Sequence, residues 1–594
     1  MTDAWSPGSS PAVLGQGTVT LVEGSSFCLC DPSGDVAGDA PHGLFFRDTR
    51  ILSRWRLRLD GAPVTPLEVM ADEPYRARFA CRAGARQGGT DSTLLVERHR
   101  YVDTGMREDI VVHNPGREPA ACSVAIEVDA DFADLFAVKE GRAERRGDYR
   151  EEIASGTGSD GGAGWSELQL SRHWQGQRRG VRIVAEGADV APGMLTFSCL
   201  VPARGTWRGS VLVHPQVAGL EFQAAFPIGR PPEQAAAADR LRRWRDDRPT
   251  VLVGNESLAR TIERSHEDLA ALRIFDSAYT AHPATPVVAA GAPWFMTLFG
   301  RDSLLTGLMA LDVDPGLALG TLRALARSQG TQQNPLTEEQ PGRILHELRF
   351  GVDAALALRG DSGHAAPDGA TCHGAAYYGT VDATPLFVVL LGDLHLWGLL
   401  ADDDLEALLP HADRALHWIR SYGDRDRDGF VEYRRTNDRG LVNQGWKDSK
   451  DAVAFADGRV AEPPIALCEV QGYAYAAYLA RARLAAYQGD EEPARHWDDA
   501  AARLKAAFNE RFWLPERGWY ALALDGRKQA VNSLASNMGH CLWSGIVDDD
   551  KAPLVAERLL SPEMYSGWGI RTLATTMRTY DPVSYHNGSV WPHD

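Results

Sequence analysis

The chain has 594 residues, 44% of them apolar, enough for roughly two to four domains with sizeable buried cores. A formal charge of −18 argues against a polyanionic partner, because nucleic-acid binding neutralises phosphates with Lys and Arg. The 16 Trp, many beside Gly, Asp or Asn, favour neutral, sugar-like ligands, although Trp more often simply packs.

The opening MTDAWSPGSSPAVLGQG has no basic start and no apolar core, so residues 1–16 read as a disordered N-terminus and not a signal peptide. Residues 17–230 alternate short apolar runs with Gly, Pro and Asp. TVTLVEG, ILSRWRLRLDG, STLLVERHRYV, DIVVHNPG, CSVAIEVDAD, LTFSCLVPA and GSVLVHPQV read as strands, and their spacing predicts an antiparallel β-sandwich. RRGDYREEIASGTGSDGGAG is polar and Gly-rich, hence a loop or flexible insertion. Its Gly156, Gly158 and Gly161 have GxGxxG spacing without the strand before and helix after that a nucleotide site needs. The prolines and charges of PIGRPPEQAAAADRLRRWRDDRPT mark a linker over 231–254.

From residue 255 onward apolar residues recur at helical spacing, from ESLARTIERSHEDLAALRIF through APLVAERLL to a short helix near GWGIRTLATTM. About ten helices arrive in pairs, as αα-hairpins do, and six hairpins closing a ring would need about twelve. The most apolar window, PLFVVLLGDLHLWGLL, is broken by Asp393 and His395 and is too short to span a bilayer. The eight Cys form no CxxC pair and no zinc-spaced cluster. Buried thiols in a reducing, cytoplasmic setting follow, with no membrane association.

Four polar intervals fall between the helices: PWFMTLFGRDS, PGRILHELRFG with TCHGAAYYGTVDATP, GFVEYRRTNDRGLVNQGWKDSKD, and SGWGIRTL with SYHNGSVWPHD. Their mixture of Trp or Tyr with Asp, Glu, Arg, His and Asn suggests one lined pocket. Asp302 reads either as N-cap of a helix starting at Ser303 or, with Arg301, as a holder of sugar hydroxyls beside Trp294. Asp448 and Asp451 are solvated loop charges, or one is a general acid whose pKa an apolar wall such as Trp446 would raise. Lys447 would act against that shift. Asp424, Asp426, Asp428 and Gly429 begin like a calcium loop, but the twelfth place is Arg435, which favours a plain Asp-rich turn. HELR lacks the second His of HExxH, and no GxSxG elbow occurs, so metal-dependent hydrolysis and Ser-nucleophile chemistry have no support. No cofactor or metal is expected.

These motifs, in their order along the chain, resemble the bacterial amylo-α-1,6-glucosidase, or glycogen-debranching-like, family: PWFMTLFGRDS, PGRILHELR, YYGTVDATPLF, DGFVEYRR, NQGWKDS, EVQGYAYAA, PEMYSGWGIRTL and YHNGSVWPHD. GLFFRDTRILSRWRLRLDG resembles that family's N-terminal β-sandwich. The resemblance implies a sandwich over 17–230 and an (α/α)6 six-hairpin glycosidase toroid over 255–594, acting by inversion on α-glucosidic linkages of an oligo- or polysaccharide. By motif, Asp448 is the implied general acid, and Arg301 with Asp302 holds the sugar. Trp446, Trp568 and Trp591 are implied aromatic walls; Glu347, Asp382, Gln471, His586 and Asn587 line the pocket. Similar proteins continue past WPHD to a Glu expected to be the base, so the last hairpin is expected to be incomplete here. Another α-glycoside specificity, a non-catalytic glycan-binding protein and a phosphorylase are the competing readings.

Overall fold

A computed structural model describes residues 17–38, 40–84, 92–156, 164–280, 285–351, 353–354, 374–591 and 593. The N-terminal segment 1–16, Gly158, Gly161 and Cys372 lie outside them. The described residues form two compact units, one running to Leu298 with Arg349–Ala375, the other comprising Phe299–Leu348 and the chain from Ala376 onward.

The first unit is built of antiparallel sheets. All seven apolar runs are strands, because β-branched and apolar residues alternate at period two. Along Ala120–Asp129, for example, Cys122, Val124, Ile126 and Val128 are buried and their neighbours are not. This strand is central to a five-stranded sheet, while Gly105–His113 and Thr206–Val217 are central to a nine-stranded one. Val124, Ile126, Leu57 and Phe197 of the smaller sheet share one apolar core with Val96, Ile110, Val181, Ile183 and Val213 of the larger. Inside that core Arg98 and Arg100 both bind Glu108, which also accepts from the Trp55 indole, so the buried charges are paired.

Within the interval expected to be a loop, Asp148–Gly156 is a strand at the edge of the large sheet, paired with Trp165–Trp174, while residues 157–163 lie outside the described residues. Its side chains are mostly exposed, so neither face needs apolar residues and the sequence shows no alternation. A short helix, α1 (Leu135–Lys139), follows the central strand. The Pro- and charge-rich stretch read as a linker contains helix α2 (Ala236–Asp247). Arg240 ties α2 to Glu23 and Asp103, and Arg245 ties it to Glu73 and to Glu267 of α3 (Glu256–Ala271).

The second unit is helical: α4 (Gly300–Met309), α5 (Pro315–Arg327), α6 (Ala383–Leu396), α7 (Asp402–Trp418), α8 (Cys468–Tyr487), α9 (Glu491–Arg511), α10 (Asn537–Ser544) and α11 (Ala552–Leu559). Helices α4, α6, α8 and α10 pack side by side as an inner row, and each also packs against the helix that follows it. This explains the sequence pattern. Inner α6 is apolar on every side because it is covered on every side, and Gly392 is needed where a Cβ would lie 2.5 Å from the Ala480 Cβ of α8. Outer α9 buries only a stripe, Ala500, Ala501, Leu504 and Phe508. The helix expected near GWGIRTLATTM does not form. Gly567 and Gly569 disfavour helix, and the segment makes a tight turn with Tyr565 bridging Ile570 and Arg571 bridging Val590. No helix among the described residues is long and apolar enough to cross a membrane.

Candidate active site

The inner helices present their N-termini to the polar intervals. Arg301 and Asp302 lie in the first turn of α4, Asp382 caps α6, Glu469 and Gln471 open α8, and the loop carrying Asp448 runs just before α8. Helix N-termini favour negative charge, which suits so many carboxylates.

Helix α4 starts at Gly300 and not at Ser303, so Asp302 is a first-turn residue and not the N-cap. Gly300 is obligatory: a Cβ there would lie 2.1 Å from the Leu345 carbonyl oxygen and 2.8 Å from the Ala383 Cβ. Arg301 is buried and pairs with Asp382 at 2.9 Å, whereas its Nε is 4.0 Å from Asp302. Asp382 also accepts a hydrogen bond from Thr380. Asp302 Oδ2 has no hydrogen-bond partner among the described residues, which leaves it free to accept from a ligand. Burial raises the Asp302 pKa, against the pull of Arg301.

Asp448 is the other carboxyl of this cluster. Burial, opposed by Arg301 and reinforced by Asp302 and Asp382, raises its pKa to about 6. Lys447 does not undo this, because its buried ammonium sits over the Trp446 ring, 4.9 Å from the centroid, and donates to the Thr572 carbonyl. Its field instead helps hold down Glu469, whose pKa burial raises. Asp451 is exposed, and its carboxylate accepts from the Asn587 amide at 3.0 Å. The two carboxylates of GWKDSKD are thereby told apart.

The loop is fastened on both sides of Asp448. Asn443 donates to the Ser449 carbonyl, and Tyr433 donates to Asn443. Gln444 bridges Glu338 and Arg343, and Arg343 also holds the Thr380 carbonyl, which links the Asp448 loop to the cap of α6. His586 Nδ1 accepts from the Ser449 backbone N–H at 3.3 Å, lies 2.7 Å from Ser449 Oγ and is 3.8 Å from Asp448 Oδ1. The His586 ring stacks on Trp591 at 5.5 Å and meets Trp446 edge-on at 5.8 Å.

Arg301, Asp302, Asp382, Asp448, Trp446, His586 and Trp591 are thus gathered, with Asn587 behind them on Asp451. Glu347 is buried where its strand bridges Phe299, next to the start of α4. Gln471 is a structural member: both its amide hydrogens are taken by the Val431 and Leu467 carbonyls, and its oxygen accepts from Val431 N–H. Trp568 is 96% exposed at the tip of its turn and walls nothing among the described residues. Trp294 belongs to the sheet-bearing unit, buried edge-on to Phe45 at 6.4 Å.

Tyr585, Arg343, Gln444 and Ser449 were not singled out from sequence, although each lies inside a quoted motif. Tyr585 is half-exposed, and burial of its hydroxyl, reinforced by the charges of Asp448 and Asp302, raises its pKa to about 12. The Asp-rich turn holds Asp424, Asp426 and Asp428 close together, and the Lys528 ammonium sits 2.8 Å from Asp426, 2.7 Å from Asp428 and 3.0 Å from buried Glu432. Lysine, on a segment about a hundred residues away, supplies there the charge that a cation would.

Residues 21–211 match the family model of the N-terminal domain of (some) glycogen debranching enzymes, and residues 373–593 match that of the mannosylglycerate hydrolase MGH1-like glycoside hydrolase domain. No curated protein matches the sequence. Among solved structures, a bacterial glucoamylase complexed with acarbose aligns with 100% of this chain and 85% of its own, at 10% identity and a TM-score of 0.52. That likeness is one of fold, antiparallel sheets followed by a helical (α/α)6 domain. Residues 21–211 are thus similar to a glycogen-debranching N-terminal domain and residues 373–593 to an MGH1-like glycoside hydrolase domain, which supports a glycosidase.

Proposed function

We propose that this chain hydrolyses α-glucosidic linkages of malto-oligosaccharide or glycogen-like substrates, α-1,6 branches among them, by an inverting route with Asp448 as general acid. The observation that carries the reading is the raised pKa of Asp448, a carboxyl in a ligand-facing cluster with a positioned Arg and a free carboxylate acceptor. A carboxyl that keeps its proton near pH 6 can give it to the departing glycosidic oxygen.

In this reading Arg301 is held by Asp382 with its remaining N–H groups available to sugar hydroxyls, and Asp302 accepts from a neighbouring hydroxyl. Tyr585 and Trp591 offer the partly exposed ring faces on which a pyranose can lie. Inversion also needs a base about 6.5–9.5 Å across the sugar from the acid. Asp382 is committed to Arg301 and Thr380, so we assign it no such role.

The test compares substrates whose leaving groups do and do not need a proton. Asp448→Asn should lower the rate on maltotriose or panose by about 10²–10⁴-fold and spare α-glucosyl fluoride, since fluoride leaves unprotonated. Equal losses on both substrates would remove Asp448 from the acid role. A second specificity is favoured by the family model matched over residues 373–593, whose printed name points to mannosylglycerate. α-Mannosylglycerate therefore belongs in the same assay, and preferential turnover of it decides for that reading. Oligosaccharide binding without turnover of any of these compounds would decide for a glycan-binding role.

A further inference from the structure

Two loops of the helical unit carry the groups that the proposed reaction needs. One precedes α6 and bears Thr380 and Asp382, whose carboxylate accepts from the Thr380 hydroxyl and holds Arg301. The other bears Asp448. It is tied to itself on either side of that residue, because Asn443 donates to the Ser449 carbonyl at 2.6 Å, so it moves as one body. The loops meet at Gln444, whose carbonyl accepts from the Val381 N–H at 2.8 Å. A single bond of this kind is a pivot and fixes no angle.

Arg343 supplies what the pivot lacks. Its guanidinium is buried, and four of its five N–H groups are taken: Nε and Nη2 fork onto the Thr380 carbonyl at 3.1 and 3.0 Å, Nη2 also donates to Gln444 Oε1 at 2.9 Å, and Nη1 donates to the Glu338 carbonyl at 2.8 Å. One planar group thus grips both loops, a geometry that an ammonium does not copy. The clamp is itself fixed. Gly330 N–H donates to the Arg343 carbonyl at 2.9 Å, and at Gly342, with φ +88°, a Cβ would lie 2.2 Å from the Arg414 carbonyl oxygen. Glu338 completes it, accepting from the Gln444 amide at 2.6 Å and from the Thr436 N–H at 3.3 Å. This buried Glu has φ +57°, a conformation that persists in a non-Gly residue only where its surroundings over-determine it.

Proton transfer needs donor and acceptor atoms about 2.6–3.2 Å apart, and a misplacement of about 1 Å can cost about 10²-fold in rate. The angle between the two loops therefore matters to an acid on one that serves a sugar held from the other. We infer that Arg343 is a positioning residue, which sets the Asp448 carboxyl against the glycosidic oxygen by clamping its loop to the loop that holds Arg301. The inference rests on the acid role proposed for Asp448.

The test is a double-mutant cycle read on maltotriose and on α-glucosyl fluoride. Arg343→Lys keeps the charge and loses the fork; it should lower kcat on maltotriose about 10–100-fold, with KM and the rate on the fluoride each within about threefold of the parent. Added to Asp448→Asn, it should cost no more than about threefold further on maltotriose, since an absent acid has no position to lose. Gln444→Met, which frees only the Asp448 loop from the clamp, gives the same readout should Arg343→Lys fold poorly. Parent-like rates in both variants, equal losses on both substrates, or an undiminished loss in the Asp448→Asn background overturn the inference and leave Asp448 its role. Equal losses from Asp448→Asn by itself, or a parent chain that turns over neither compound, remove the acid reading and overturn both.

Discussion

Asp448 ionises near its ordinary value of 3.8 in the unfolded chain and near about 6 in the fold. Below about 4 both states hold the proton. Between these values the unfolded state loses it first, and above about 6 the fold carries a charge that burial disfavours. The cost at neutral pH is on the order of 2–3 kcal/mol, at about 1.4 kcal/mol per pKa unit. Asp448→Asn should therefore melt higher than the parent chain at pH 7.5, and the two should converge near pH 4 in calorimetry. A lower melting temperature for the variant at neutral pH would contradict a charge held against its burial. Catalysis runs in the same sense: the rate on unactivated glycosides should fall about tenfold per pH unit above about pH 6 as the acid loses its proton. A flat profile from pH 6 to 8 would exclude Asp448 as the donor. The residues of the loop by themselves left Asp448 and Asp451 equal, because they share a loop, a charge and nearly the same neighbours, and only the family resemblance favoured Asp448. What separates them is Asn587, more than 130 residues away, which engages one and not the other.

At the scale of elements, the cluster depends on how closely the inner helices approach their preceding loops. Gly300→Ala forces a methyl group into the Leu345 carbonyl and Ala383, so it should cost about 3 kcal/mol and displace Arg301 with the first turn of α4. Circular-dichroism melting and oligosaccharide affinity should fall together, and a variant as stable as the parent would show that the backbone yields. Lys528→Ala leaves Asp426, Asp428 and buried Glu432 facing one another without a counter-charge. Because the two Asp are partly solvated, a loss of about 1–3 kcal/mol is expected in urea unfolding, below the usual figure for a buried pair. Helix and strand identity was readable wherever one face is buried, as in α9 and the strand Ala120–Asp129. It failed where burial does not pattern the sequence, at the doubly exposed edge strand Asp148–Gly156 and at the Gly-rich turn around Trp568.

For the molecule as a whole, the isoelectric point near 5.4 lies just below the pKa of Asp448. Net charge and its solubilising repulsion fade over the pH range in which the acid gains its proton. Turbidity at fixed concentration should peak near pH 5.4, on the acid side of the activity optimum; maximal solubility at that pH would show that surface charge is distributed otherwise than the total suggests. The order of strands and then helices, the absence of phosphate-binding motifs and the polar intervals between helices were determined by the sequence itself, because periodicity and local chemistry are properties of neighbouring residues. The partner of Arg301, the free oxygen of Asp302 and the structural duty of Gln471 were decided only in the tertiary structure. Each depends on contacts between residues far apart in the chain, and burial and electrostatic fields act through those distances in space and not along the sequence.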